Sequence, residues 1–165
     1  MWKRMTIATL ALYLLLAAAC APQEQQLTWE EIGHDELGTN YAGDVTMIIV
    51  TDVSDLSMLR DNVFPRHFEQ IRETDFSRYL IVTILRRGQS VADRSVEIAA
   101  ITQRKDTIVI DAHFLERDPG EVIKDMITSP YYVLKIEKTP DLHGEFEFVL
   151  VVDGQEIMSR TRTIP

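Results

Sequence analysis

A carboxylate and a histidine two residues apart on a strand stand side by side on one face, and Asp111 and His113 form such a pair. An aspartate beside an imidazole can orient a general base or supply two ligands to a metal ion. A triad would also need a nucleophile, and a zinc site three or four ligands; no spacing in this chain assembles either. HExxH, GxSxG, paired cysteines and a Gly-rich phosphate loop are all missing. The residues therefore predict a solvent-facing pair, no catalysis, no metal and no cofactor. His67, in the stretch 66–74 with Phe68 and Ile71 three apart, reads as an exposed histidine on a helix flank, since nothing near it in sequence offers a second ligand.

What must position Asp111 and His113 is a run of strands between Asp75 and Phe114. Tyr79–Leu85 is apolar on both faces and is expected in the middle of a sheet. In 94–103, Val96, Ile98 and Ala100 share one face; the chain turns at Lys105-Asp106 and returns with Ile108, Ile110, Ala112 and Phe114 on one face and Asp111 and His113 on the other. Earlier, 27–32 suits a short strand closed by Gly33, and Val45–Val50 a central one. Residues 54–64 suit an amphipathic helix that Pro65 ends or kinks. Later, Tyr132, Leu134 and Ile136 are expected inward with Tyr131 and Val133 outward. Glu145–Val152 alternates with Phe146, Phe148, Leu150 and Val152 inward, and Asp153-Gly154 turns it into a polar edge strand over 155–163. The expected fold is mainly β with one early helix (α+β): an antiparallel sheet or sandwich of about seven strands in a single domain over 27–165.

The first twenty residues are of another kind. Lys3 and Arg4 precede an uncharged apolar run, then Ala17-Ala18-Ala19 and Cys20, the layout of an export signal. The segment resembles a bacterial lipoprotein signal, which implies cleavage before Cys20 and acylation of its sulfur. As the only cysteine, Cys20 can form no internal disulfide, and an acyl acceptor is the better reading of it. The alternative is an uncleaved anchor, because the charge-free run to Gln23 is near bilayer-spanning length. Either way the rest of the chain is expected on the extracytoplasmic face of the cell membrane, with residues 21–26 as a short tether. Without Lys3 and Arg4, 15 basic residues face 26 acidic ones, a net −11, which opposes partnership with nucleic acid or an anionic bilayer.

From Trp29 to Lys138 the chain resembles the PrcB C-terminal domain-like family, named for a subunit of a bacterial surface protease complex. The residues are WEEIG at 29–33, Val50-Thr51-Asp52 before a helix, Asp75-Phe76-Ser77 before the Tyr79–Leu85 strand, Gly88, Pro119-Gly120, and Thr128-Ser129-Pro130-Tyr131 before Val133–Ile136. The family's Thr-Gly-Gly-Tyr type turn is replaced here by Gly88–Arg94, which keeps only the glycine. The resemblance implies a small β-rich module, often carried on lipoproteins, that assembles or stabilises other proteins without catalysis. The partner would be an exported protein such as a protease. The connection over 116–130 is the candidate contact segment, with Asp118, Glu121, Val122, Ile123, Met126 and Tyr131 as its partner-binding residues, although its apolar residues also suit cover for a sheet end. A small-ligand or cell-wall-binding lipoprotein is the competing reading, and it requires a concave pocket.

Overall fold

The strand Tyr79–Leu85 has no polar face to turn to water, so both of its faces must be covered, and the structure covers them with two different layers. The structure is a computed structural model that describes residues 24–35, 45–86, 93–116 and 130–165. Nine strands occur there: β1 Glu24–Gln26, β2 Trp29–Asp35, β3 Thr46–Val50, β4 Tyr79–Leu85, β5 Asp93–Arg104, β6 Thr107–Glu116, β7 Tyr131–Glu137, β8 Gly144–Val152 and β9 Gln155–Ile164. They form a five-stranded sheet in the order β1-β5-β6-β8-β9 and a four-stranded sheet in the order β2-β7-β4-β3. Leu80, Val82 and Ile84 of β4 enter the core between the sheets, with Ile108, Ile110, Phe148 and Leu150. Ile81 and Leu85 enter a second core with Leu56, Leu59, Val63, Ile71 and Phe76, under a helical layer. The fold is β-rich with few helices, as the patterning predicts.

Several details depart from the sequence reading. The early helix is a 3-10 helix, Val53–Met58, whose first turn is capped by the Asp52 carboxylate accepting from Ser54 N at 2.7 Å. Pro65 ends nothing; it opens the α-helix α1, Pro65–Arg72, from its first turn, where a missing N–H costs no helical bond. β3 is an edge strand by hydrogen bonding, paired only with β4, and its apolar side chains are explained by cover from the two cores. Strands β7 and β8 lie in different sheets. The turn between them brings β8 beside β6 in parallel, the one exception to antiparallel pairing among the described strands. Residues 24–26, expected as tether, are strand β1 on β5, with Glu24 paired to Arg104 at 2.9 Å.

A bulge changes the inward face of β5. Between Ile98 and Ala100 the register of β5 slips by one, so the inward set passes from Ile98 to Ile101 and Gln103, and Ala100 is not in it. The hairpin at Asp153-Gly154 does follow its sequence signal: both residues have positive φ, 50° and 79°, as a two-residue turn of matching twist requires.

One polar group is out of place. Thr83, in the middle of β4, is fully buried, and its hydroxyl has no hydrogen-bond partner among the described residues. A buried hydroxyl without a partner costs about 1–3 kcal/mol, and valine keeps the same branched shape without it. Thr83→Val is therefore expected to raise stability by about 1 kcal/mol in urea unfolding; a lower midpoint would show that the hydroxyl has an unseen partner.

Candidate functional site

The second residue of interest on β2 is a glycine, and its lack of a side chain decides what sits beside it. A Cβ on Gly33 would fall 2.5 Å from His67 Nε2 and 2.8 Å from Cε1, so the imidazole occupies space that only glycine leaves open. His67 is thus buried, 8% exposed, and not the solvent-facing helix-flank residue its sequence context suggests. Its Nδ1 lies 2.7 Å from the Tyr131 hydroxyl, which also accepts from Phe64 N–H at 3.1 Å. Arg66 Nε donates to His67 Nε2 at 3.2 Å; since arginine only donates, the ring proton sits on Nδ1 and goes to Tyr131. This knot joins the start of α1 to β7 and β2.

The opposite face of the same two strands carries a second His–Tyr pair. A bulge between Glu31 and Gly33 turns His34 onto the face of Glu31, opposite Tyr132. His34 and Tyr132 stack with ring centroids 5.3 Å apart; His34 Nδ1 meets Glu31 Oε1 at 2.5 Å, and the Tyr132 hydroxyl donates to Glu31 Oε2 at 2.7 Å. Burial, the Glu31 hydrogen bond and the negative field of Glu31 push the Tyr132 phenol up to about 12. Burial alone would raise the Glu31 carboxyl, but the hydrogen bonds from His34 and Tyr132 outweigh it and hold it below its ordinary value. A base works best near ambient pH, and this pair is driven away from it on both sides. The cluster keeps its protons in place and ties β2 to β7.

The residues singled out from sequence are scattered. Asp111 and His113 share the outer face of β6, as expected, but His113 bonds Asp153 of the β8–β9 turn, Nδ1 to Oδ1 at 3.0 Å. Tyr131, expected outward as a partner contact, is 1% exposed: its face of β7 is covered by the helical layer, so it presents no surface here. Asp118, Glu121, Val122, Ile123 and Met126 lie outside the described residues, as does Cys20. Among the described residues no group of three or more histidine, cysteine or acidic side chains is arranged to hold a metal ion. The Glu31–His34–Tyr132 cluster was hidden because it depends on the bulge; without it, Glu31 and His34 would face opposite ways. Gly33 inside an alternating run was the one visible hint.

At the other end of the sandwich, a depression of about 500 Å³ is lined by Glu24, Gln25, Gln103, Lys105, Asp106, Asp141 and Phe146. Its wall is polar, with one aromatic ring. The Asp75-Phe76-Ser77 stretch is a structural turn: Asp75 Oδ1 accepts from Ser77 N and Oγ, Phe76 fills the second core, and Lys138 Nζ bonds the Phe76 carbonyl at 2.8 Å. No protein-family model matches this chain, and neither the curated proteins nor the solved structures gave a match. Its class is set by architecture alone: a two-sheet β-sandwich backed on one side by a helical layer.

Two measurements check this geometry. Gly33→Ala should destabilise by about 1–3 kcal/mol through the forced contact with the imidazole, and far less when combined with His67→Ala; equal losses in both backgrounds would sever the link. His113 is held above its ordinary value of 6.5 by the Asp153 hydrogen bond, then by the fields of Asp153, Asp111 and Glu97. The charged form is the one favoured by folding, so this contribution is complete below pH 6.5 and fades as pH rises through the folded midpoint. The NMR titration of His113 should have its midpoint above 6.5 and fall in Asp153→Asn; an unchanged midpoint in that variant would reject the assignment.

Proposed function

We propose that this chain is a lipid-anchored, extracytoplasmic module that works by binding exported proteins, as an accessory or stabilising partner and without catalysis. The observation that carries the reading is the polarity of the sandwich. β1 starts at Glu24, four residues after Cys20, beside Arg104 and the Lys105-Asp106 turn. Four residues reach at most about 14 Å, so an acylated Cys20 would hold that end against the bilayer. At the opposite end, Asp35, Tyr131, Leu85 and Thr46 form one row across the four-stranded sheet, and Asp93 pairs with Glu116 in the other sheet. Strands β2, β4 and β6 end and β3, β5 and β7 begin at that far end, the side that would face away from the membrane; in sequence, Asp118, Glu121, Val122, Ile123 and Met126 fall between β6 and β7.

The residues that resemble the PrcB C-terminal domain-like family support the same role, beside an exported protease or another surface protein. The small-ligand reading has one observation in its favour, the depression near Glu24. Its polar wall suits a small polar ligand better than an apolar one.

The test recovers the full-length protein from membranes alongside a variant with residues 118–127 replaced. Cys20 is expected as an acylated amino terminus by mass spectrometry, and a co-purifying exported protein is expected with the wild type only. An intact Met1 or unmodified Cys20 would overturn the anchoring, and equal recovery from both proteins would remove the 118–127 segment from the interface.

A further inference from the structure

The outer face of the five-stranded sheet is covered by nothing in the described structure, and its composition is not that of an ordinary wet face. Alternation along β8 sends Phe146, Phe148, Leu150 and Val152 into the core, leaving Glu145, Glu147, Val149 and Val151 outside. Val149 belongs to neither core, yet is only 9% exposed. The register gives its neighbours: one row across the sheet is Gln26, Thr102, Val109, Val149 and Ser159. The row below holds Glu24, Arg104, Thr107, Glu147 and Thr161, and the row above Ala100, Asp111 and Val151. A flat centre of Val109, Val149, Val151 and hydroxyl residues is thus bordered by Glu145, Glu147, Asp111 and Glu97.

The charges on this border are one-sided. Arg104 is engaged by Glu24 and His113 by Asp153. The acidic residues Glu145, Glu147 and Asp111 have no ion-pair partner among the described residues. We infer that this face docks a protein surface that has a small, flat apolar centre bordered by lysine or arginine. Charge complementarity selects that occupant. A second copy of this chain, at net −9, would set one acidic border against another, and nucleic acid or an anionic bilayer is repelled in the same way. These rows hold no aromatic ring on which a sugar could stack, and a flat sheet does not enclose a small ligand. From strand spacing and rise the face measures roughly 20 by 27 Å, the footprint of a small, reversible interface.

The face is independent of the 118–127 segment and of the lipid anchor, so failure of either leaves it standing. The test places a photo-crosslinking benzoylphenylalanine at Ser159 or Thr102 of the full-length chain, in the cells that make it, with Val53 on the helical side as control. Thermal melting of each variant checks that it folds. The expected result is a protein adduct from Ser159 and Thr102, missing from Val53, whose crosslinked peptide contains Lys or Arg. Its yield should fall roughly tenfold with Glu145→Lys plus Glu147→Lys. An adduct with a second copy, no protein adduct in folded variants, or a yield unchanged by the charge reversal would each overturn the inference.

Discussion

The two apolar faces of β4 are the constraint on which the architecture rests. A strand reading Tyr-Leu-Ile-Val-Thr-Ile-Leu can be stable only when apolar matter covers it on both sides, because each large aliphatic side chain left in water forfeits about 1.5–3 kcal/mol. One side is met by the five-stranded sheet through Ile108, Ile110, Phe148 and Leu150. The other is met by residues 56–76, whose Leu56, Leu59, Val63, Ile71 and Phe76 form a lid that no strand supplies. The helical layer is therefore a structural requirement of β4. It in turn fixes His67, since α1 can lie on the sheet only where Gly33 leaves room for the ring.

Bulges then distribute side chains that simple alternation would send elsewhere. The slip at Ile32 lets β2 present Glu31 and His34 to one face while Gly33 stays open on the other. The slip near Ala99 hands the inward role in β5 from Ile98 to Ile101. A third, between Leu150 and Val151, bends the β8–β9 ribbon close to the Asp153-Gly154 turn, where His113 finds its partner. The Glu31–His34–Tyr132 cluster and the His113–Asp153 pair each stand next to one of these irregularities.

How far the chain could be read without the structure follows from the same distinction. Period-two patterning and Asp153-Gly154 were enough for β6, β8 and β9, because those strands keep their alternation where they face the core. Alternation puts Tyr131 and Val133 outward because it reveals that two faces exist and is silent about whether a second layer covers the outer one. The burial of His67 is illegible for a related reason: the residue that makes room for it, Gly33, is 34 positions away in sequence and acts by lacking atoms. Pro65 alone does not tell an end or kink from a beginning, because a proline after an apolar run fits the end of one helix and the start of the next equally well. The Glu31–His34–Tyr132 cluster required a bulge, which a single glycine hints at but does not locate.

The treatment of the strand edges narrows where this molecule can meet others. On one side the chain itself passes from β1 in the first sheet to β2 in the second through Leu27 and Thr28, whose backbone groups bond Ile101 and Glu137, so that side is stitched by peptide. On the other, β3 and β9 lie edge to edge without a ladder, and side chains span the gap: Thr51 Oγ1 donates to the Thr163 carbonyl at 3.1 Å, Arg160 reaches Thr46 Oγ1 at 3.0 Å, and Arg162 reaches the Met58 sulfur at 3.3 Å. Charged and hydroxyl groups in such a seam discourage the addition of a foreign strand. Among the described residues, with the strand edges guarded in this way and β4 buried on both faces, the outer face of the five-stranded sheet is a broad area of regular structure open to contact. Its shape is rigid, because the same strands carry the core on their other side, and a rigid surface gives up little conformational entropy when a partner settles on it.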